Sequence, residues 1–173
     1  FCRAGNQVLV VIAMTQPRLI TDNQLHCIKG LDPIADAFSG TVYSDVINAT
    51  AVGWIVFLLH WGVGATGTTT LTVIPCDDVV PTNRGTAVAF WSRVCATGDT
   101  WAAPVARAAA GFTTTAGSSQ MYAVEVDPAV LAASGYKYVQ LKCVESVDSP
   151  ILGGILIFTL PKYAEDVVAT QIT

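Results

Sequence analysis

At 173 residues the chain fits one domain of ordinary size with arms outside it, and two full domains would be cramped. Hydrophobic residues make up 52% and charged residues only 13%, against about 25% charged in ordinary soluble chains, so polar material is too scarce to cover a free surface and a permanent partner is expected. A net charge of −4, with 9 Lys and Arg spread singly along the chain, supplies no basic stripe and argues against direct nucleic-acid binding.

The opening FCRAGNQVLVVIAM joins an Arg to an apolar run of signal-peptide length, but TQPRL comes next in place of a cleavage pattern. Residues 1–29 read as an N-terminal arm carrying one strand, QVLVVIAM. Turn formers Gly30, Asp32-Pro33, Gly40 and Asn48 then separate short apolar pieces such as TVYSDVI. The run Ala51–Leu59 is too short for a membrane helix, which needs about 20 apolar residues, and His60, Gly62, Gly64 and Gly67 prevent its extension. No membrane segment is expected. The β-branched and aromatic residues of this run predict a strand. Both of its faces are apolar, as when one packs on a core and a neighbouring element or subunit covers the other. TTTLTV after it alternates with period two, and the pair is predicted to be a hairpin.

TLTVIPCDD and TAVAFWSRV are the next strands, joined by the loop VVPTNRG. Val105–Ala110 is rich in alanine but too short to hold a helix unaided, so an extended piece is predicted. MYAVEVD, ended by Asp127-Pro128, and YKYVQLKCVE come after it as strands, with PAVLAASG between them as a helical turn or short loop. ILGGILIFTL, closed by Pro161, is the last strand, and residues 164–173 read as a C-terminal tail. Short strands punctuated by turns, with scarcely any helix, predict an all-β fold. The expected architecture is an antiparallel β-sandwich, jelly-roll or Ig-like, over residues 30–163, with extended N- and C-terminal arms.

Groups that titrate or attack are few. Of the two histidines, His60 ends the apolar strand between Leu59 and Trp61, where an interface hydrogen bond is a better account than a base paired with a cysteine. Five widely spaced cysteines with no CxxC signal neither a zinc site nor a disulfide framework, and free, mostly buried thiols are expected. Asp77 and Asp78 could share a cation only from a loop, and VVPTN lacks the spacing of a calcium loop. Glu125 and Asp127 share a strand face opposite Val124 and Val126, which reads as a solvated face, with a glycosidase pair as the remote alternative. There is no GxSxG elbow, phosphate loop or HExxH helix, so no catalytic residue, metal or cofactor is assigned and the chain does not read as an enzyme. Asn48-Ala49-Thr50 matches the glycosylation triplet, a pattern common by chance. Trp54 is assigned to the core. Trp61, Trp91 and Trp101 could stack a sugar, and Trp101 in GDTWAAP is the best candidate for an exposed interface anchor.

From about Ile47 to Tyr163 an ordered series of phrases is distinctive: GVGATGTTTLTVIPCDDV, AVAFWSRV, ATGDTWAAP, GFTTTAGSSQ leading into MYAVEVDPAVL, GYKYVQLKCVESVDSP, and GGILIFTLPKY. In this order they resemble virion structural proteins of tailed bacteriophages and prophages, of the capsid-decoration, cement or minor-head kind. The resemblance implies a β-rich domain made in the host cytoplasm and placed on the outer capsid surface of the virion. There it would contact the major capsid protein and copies of itself, holding the shell against the pressure of the packaged DNA. The interface residues expected are Val8, Leu9, Val10, Val11 and Ile12 in the arm, Val167 and Val168 in the tail, and the anchors Trp61 and Trp101. Two alternatives stand beside it. One is a tail or head-to-tail component, or the shell protein of a small virus, although a genome-lining shell wants basic residues and the arm holds only Arg3 and Arg18. The other is a carbohydrate-binding β-sandwich module that meets a surface glycan through Trp61, Trp91 or Trp101.

Overall fold

The computed structural model describes residues 25–95 and 99–162. The expected arm strand QVLVVIAM and the tail residues Val167 and Val168 lie outside them. In chain order the strands are β1 (His26–Ile34), β2 (Thr41–Tyr43), β3 (Ile47–Asn48), β4 (Val52–Trp61), β5 (Thr68–Cys76), β6 (Phe90–Cys95), β7 (Val105–Arg107) and β8 (Phe112–Thr113). Then come β9 (Met121–Val126), the single helical turn α1 (Ala129–Ala132), β10 (Tyr138–Val147) and β11 (Gly153–Pro161). They form two antiparallel sheets packed face to face, one ordered β1-β11-β4-β9-β6-β7, the other β2-β10-β5-β8 with β3 also on β10. The fold is the all-β sandwich that the alternation predicts.

The pairings are nested. β1 pairs with β11, β2 with β10, β4 with β9 and β5 with β8, so the chain is one long hairpin folded over on itself. Two further pairings, β11 with β4 and β10 with β5, roll that hairpin into two layers. This is jelly-roll connectivity rather than the Ig-like alternative. The hairpin β6–β7 is an insertion between β5 and β8 that widens the first sheet beyond β9.

Period-two alternation builds the core. From β4, Ile55, Phe57, Leu59 and Trp61 point inward with no exposed surface, and Ile155 and Ile157 of β11 lie beside them. Leu71 and Val73 of β5 and Val139, Leu141 and Cys143 of β10 meet them from the other layer. Each such aliphatic or aromatic side chain contributes on the order of 1.5–3 kcal/mol by burial. One end is filled by aromatic rings, Trp61 standing 4.9 Å from Tyr122 and 6.3 Å from Phe38 between centroids. The Tyr122 hydroxyl is held by Gln120 Oε1 and by Thr115.

Several expectations are corrected. The runs AVGWIVFLLHW and TTTLTV are not a hairpin: β4 lies in the six-stranded sheet and β5 in the other, and the glycine-bearing link between them crosses layers. Gly30 and Asp32-Pro33 are not turns but sit inside β1, where the register slips twice. β1 is an edge strand, which tolerates proline, and a Cβ on Gly30 would stand 2.7 Å from Ile157 Cγ1. Residues 26–29 lie in β1 and so belong to the sandwich and not to an arm. Val105–Arg107 is extended, as predicted. TVYSDVI yields the short strand β2 and the start of β3, and PAVLAASG yields α1.

The loop after β5 is tied by one carboxylate. Asp77 accepts the backbone N–H groups of Thr82 and Asn83 and the side-chain amide of Asn83, at 2.9–3.1 Å. These bonds, that from the Asn83 backbone first, hold the exposed carboxyl below its ordinary range.

This packing and this tie each give a stability outcome. Trp61→Ala should destabilise the fold by about 3–5 kcal/mol, measured by urea unfolding, because the cavity lies among rings that cannot close over it. A depressed carboxyl pKa contributes stability above the unfolded value of about 3.9 that fades as pH falls through the lower folded value. Thermal melts from pH 7 to pH 2 should therefore show a smaller acid-induced loss in Asp77→Asn than in the parent. At pH 7 the variant should be destabilised by less than Trp61→Ala.

Candidate functional site

The surface this sheet leaves open is its outer face. The residues of β4 that point away from the core are Trp54, Val56, Leu58 and His60, and those of β11 are Leu156, Phe158 and Leu160. Register aligns them into rows. One row runs Cys27, Phe158, Val56, Glu125, Trp91, and the next runs Lys29, Leu156, Leu58, Ala123, Arg93. Both rows are apolar across β11 and β4, with Glu125 beside them on β9 and with Lys29 and Arg93 at the two ends of the second row. Trp91 is 46% exposed, Leu156 45% and Leu160 41%, while Val56, Leu58 and Phe158 are half-buried by their neighbours. This is the second apolar face of the run Ala51–Leu59, and the described residues leave it open to solvent.

Tryptophans mark this face, Trp91 as expected and Trp54 against expectation. Trp61 is a correction: it has no exposed surface and lies in the core, because strand parity turns it inward with Leu59, so it is neither an interface anchor nor a sugar platform. Trp54, assigned to the core, is instead half-buried on the outer face, where its Nε1–H donates to Glu125 Oε2 at 3.1 Å. Trp91, which pairs with Glu125 from the other side, is the protruding ring. Trp101 is half-buried, with the Arg93 guanidinium 5.9 Å from its ring centre, and Arg93 Nε donates to the Ala102 carbonyl at 3.0 Å. Val8, Leu9, Val10, Val11, Ile12, Val167 and Val168 lie outside the described residues.

A hollow of about 400 Å³ opens on the same face beside β1, lined chiefly by Leu31, Pro33, Leu58, His60, Leu152 and Leu156. Its floor is low because Gly154 has no side chain, and a Cβ there would lie 2.9 Å from the Leu31 carbonyl oxygen. A second cavity of about 420 Å³ lies between β1, β2 and the loop tied by Asp77, walled by Tyr43 with the Arg84 guanidinium 4.3 Å above its ring. Asp45 and Gln140 also line it, and Asp45 Oδ2 and Gln140 Nε2 have no hydrogen-bond partner. Burial pushes the Asp45 carboxyl above its ordinary range, against the opposing Val46 N–H bond. Both unpartnered atoms are shut off from solvent, so a molecule in this cavity would not reach them.

The groups that could do chemistry are dispersed. Glu125 is engaged by Trp54, and Asp127 accepts the Ala129 N–H at 2.9 Å at the start of α1. Val124 and Val126 opposite them are fully buried, as the alternation predicts. His60 is exposed at the end of β4, across from Met121 and Gly154. Cys27, Cys76, Cys95 and Cys143 are free, and all but Cys27 are buried. Burial raises the Cys76 thiol to about 12 and pushes Cys143 up further, which keeps both protonated and inert at neutral pH. Among the described residues no group of three or more His, Cys, Asp or Glu could hold a metal ion, and no helix is long and apolar enough to cross a membrane. Asn48 Oδ1 accepts the Thr50 N–H and hydroxyl, closing a local turn at the glycosylation triplet. Compared with known proteins, the chain matches no protein-family model, no curated protein and no solved structure.

Proposed function

We propose that this protein is a structural subunit of a phage particle. In this reading it is a decoration or cement protein, made in the host cytoplasm, that attaches to the outer surface of the icosahedral head through protein–protein contacts. The observation that carries the reading is the apolar outer face of the six-stranded sheet, on a chain with only 13% charged residues. Such a face loses its water against a partner surface, and its burial drives assembly without any reacting group. The resemblance of the ordered phrases to capsid-decoration proteins points to the same role, with the major capsid protein and copies of itself as partners. The segments holding Val8–Ile12 and Val167–Val168 would add strands to neighbouring sheets, since each is β-branched and apolar.

The jelly-roll connectivity favours a second reading, the shell protein of a small virus, because this roll recurs in viral capsid domains. It recurs in lectins as well, so connectivity alone does not choose among them. Trp54 and Trp91 flanking Glu125 would be the platform of a glycan-binding module.

The deciding experiment mixes the purified full chain with undecorated phage heads and monitors co-sedimentation. Saturable pelleting with the heads is expected. Closed shells formed by the protein alone would favour the shell reading, and glycan-array binding without head binding would favour the lectin-like one. Deleting residues 1–14 should leave the circular dichroism of the β-sandwich unchanged and weaken head binding; undiminished incorporation would remove the arm from the mechanism.

A further inference from the structure

The open face has both a knob and a hole. Trp91 projects from β6 toward one rim, and the hollow walled by Leu31, Pro33, Leu58 and Leu156 lies beside β1 toward the opposite rim. Between them stands the apolar middle formed by Val56, Leu58, Leu156 and Phe158. A protrusion and a recess at opposite sides of one surface are self-complementary under a two-fold rotation, which lays each copy's protrusion over the other's recess.

We propose that a second copy of this chain covers the outer face of the six-stranded sheet, as a two-fold dimer that seats Trp91 of each copy in the hollow of the other. Size permits it. Six strands spaced about 4.8 Å apart and averaging about 7 residues of about 3.3 Å cover on the order of 700 Å² in flat projection. Side-chain relief adds to that, and a stable interface needs about 800 Å² per partner. Charge permits it too. The face carries charges of both signs, Lys29 and Arg93 with Glu125 and Asp32, and Lys29 meets Asp32 at 3.1 Å within one copy. An exposed tryptophan entering an apolar recess is the commonest kind of energetic anchor at protein interfaces.

The inference rests on reading the protein as an assembly module. Its test is sedimentation velocity on the full chain over a concentration series, with Trp91→Ala, Leu156→Asp and, as a control on the other sheet, Val147→Asp. The parent is expected to be a dimer. Trp91→Ala and Leu156→Asp should each raise the dissociation constant about 30-fold or more, while Val147→Asp leaves it unchanged and circular dichroism reports an intact fold in all three. A parent that stays monomeric, its face being left to the chain's own ends or to another protein, overturns the proposal, as does a dimer indifferent to both substitutions. A dimer that responds to both but ignores phage heads upholds the interface and ends the capsid role, so the two readings fail separately.

Discussion

The rest of the molecule depends on the burial of β4 on its inner side. Four consecutive inward residues, Ile55, Phe57, Leu59 and Trp61, have no exposed surface, and β4 lies between β11 and β9, the pairings that join the outer part of the hairpin to its middle. Withdrawing this strand would remove the floor of the core and separate β1 and β11 from the remaining strands of their sheet. Its inner side is therefore fixed by stability. Its outer side, equally apolar, meets no such demand from the sandwich and is free to serve an interface. The same ten-residue strand thus holds the fold together and presents the surface through which the protein would act.

Low charge has a similar double consequence. With 13% charged residues, the duties of charged groups fall to single side chains. The Asp77 carboxylate helps tie the loop over the second cavity, Glu125 accepts from the Trp54 indole, and Arg107 reaches Ser92 Oγ at 2.8 Å while lying over the Phe112 ring. A surface with so little charge has little to discourage association, and specificity must then come from shape.

Much of this was legible in the chain. Alternation in TTTLTV, MYAVEVD and YKYVQLKCVE placed Leu71, Val73, Val124, Val126, Val139 and Leu141 on the inner face, because side chains of a strand have a strict period of two. The apolar character of both faces of AVGWIVFLLHW announced an outer face in need of cover. What failed was whatever depends on distant partners. A glycine-rich link between two strands looks the same whether they pair or cross to opposite sheets, and only β9, β10 and β11, far along the chain, decide it. Pro33 and Gly30 read as turn formers because their tolerance in an edge strand rests on β11 lying on one side only. Trp54 and Trp61 were exchanged for a related reason: in a strand apolar on both faces, composition cannot say which parity is inward.

Nesting also sets an order of events. His26 pairs with Thr159, so the first described strand finds its partner only after every other described strand up to β11 has been synthesised. Pairings this remote in sequence carry a large loop-closure cost before any contact repays it, and they make folding slow. During synthesis β4 would therefore emerge with both apolar faces unprotected, long before β9 and β11 arrive to flank it. In a crowded cell making many copies at once, productive yield would then be governed by how long that strand waits, and chaperone capacity would matter as much as final stability.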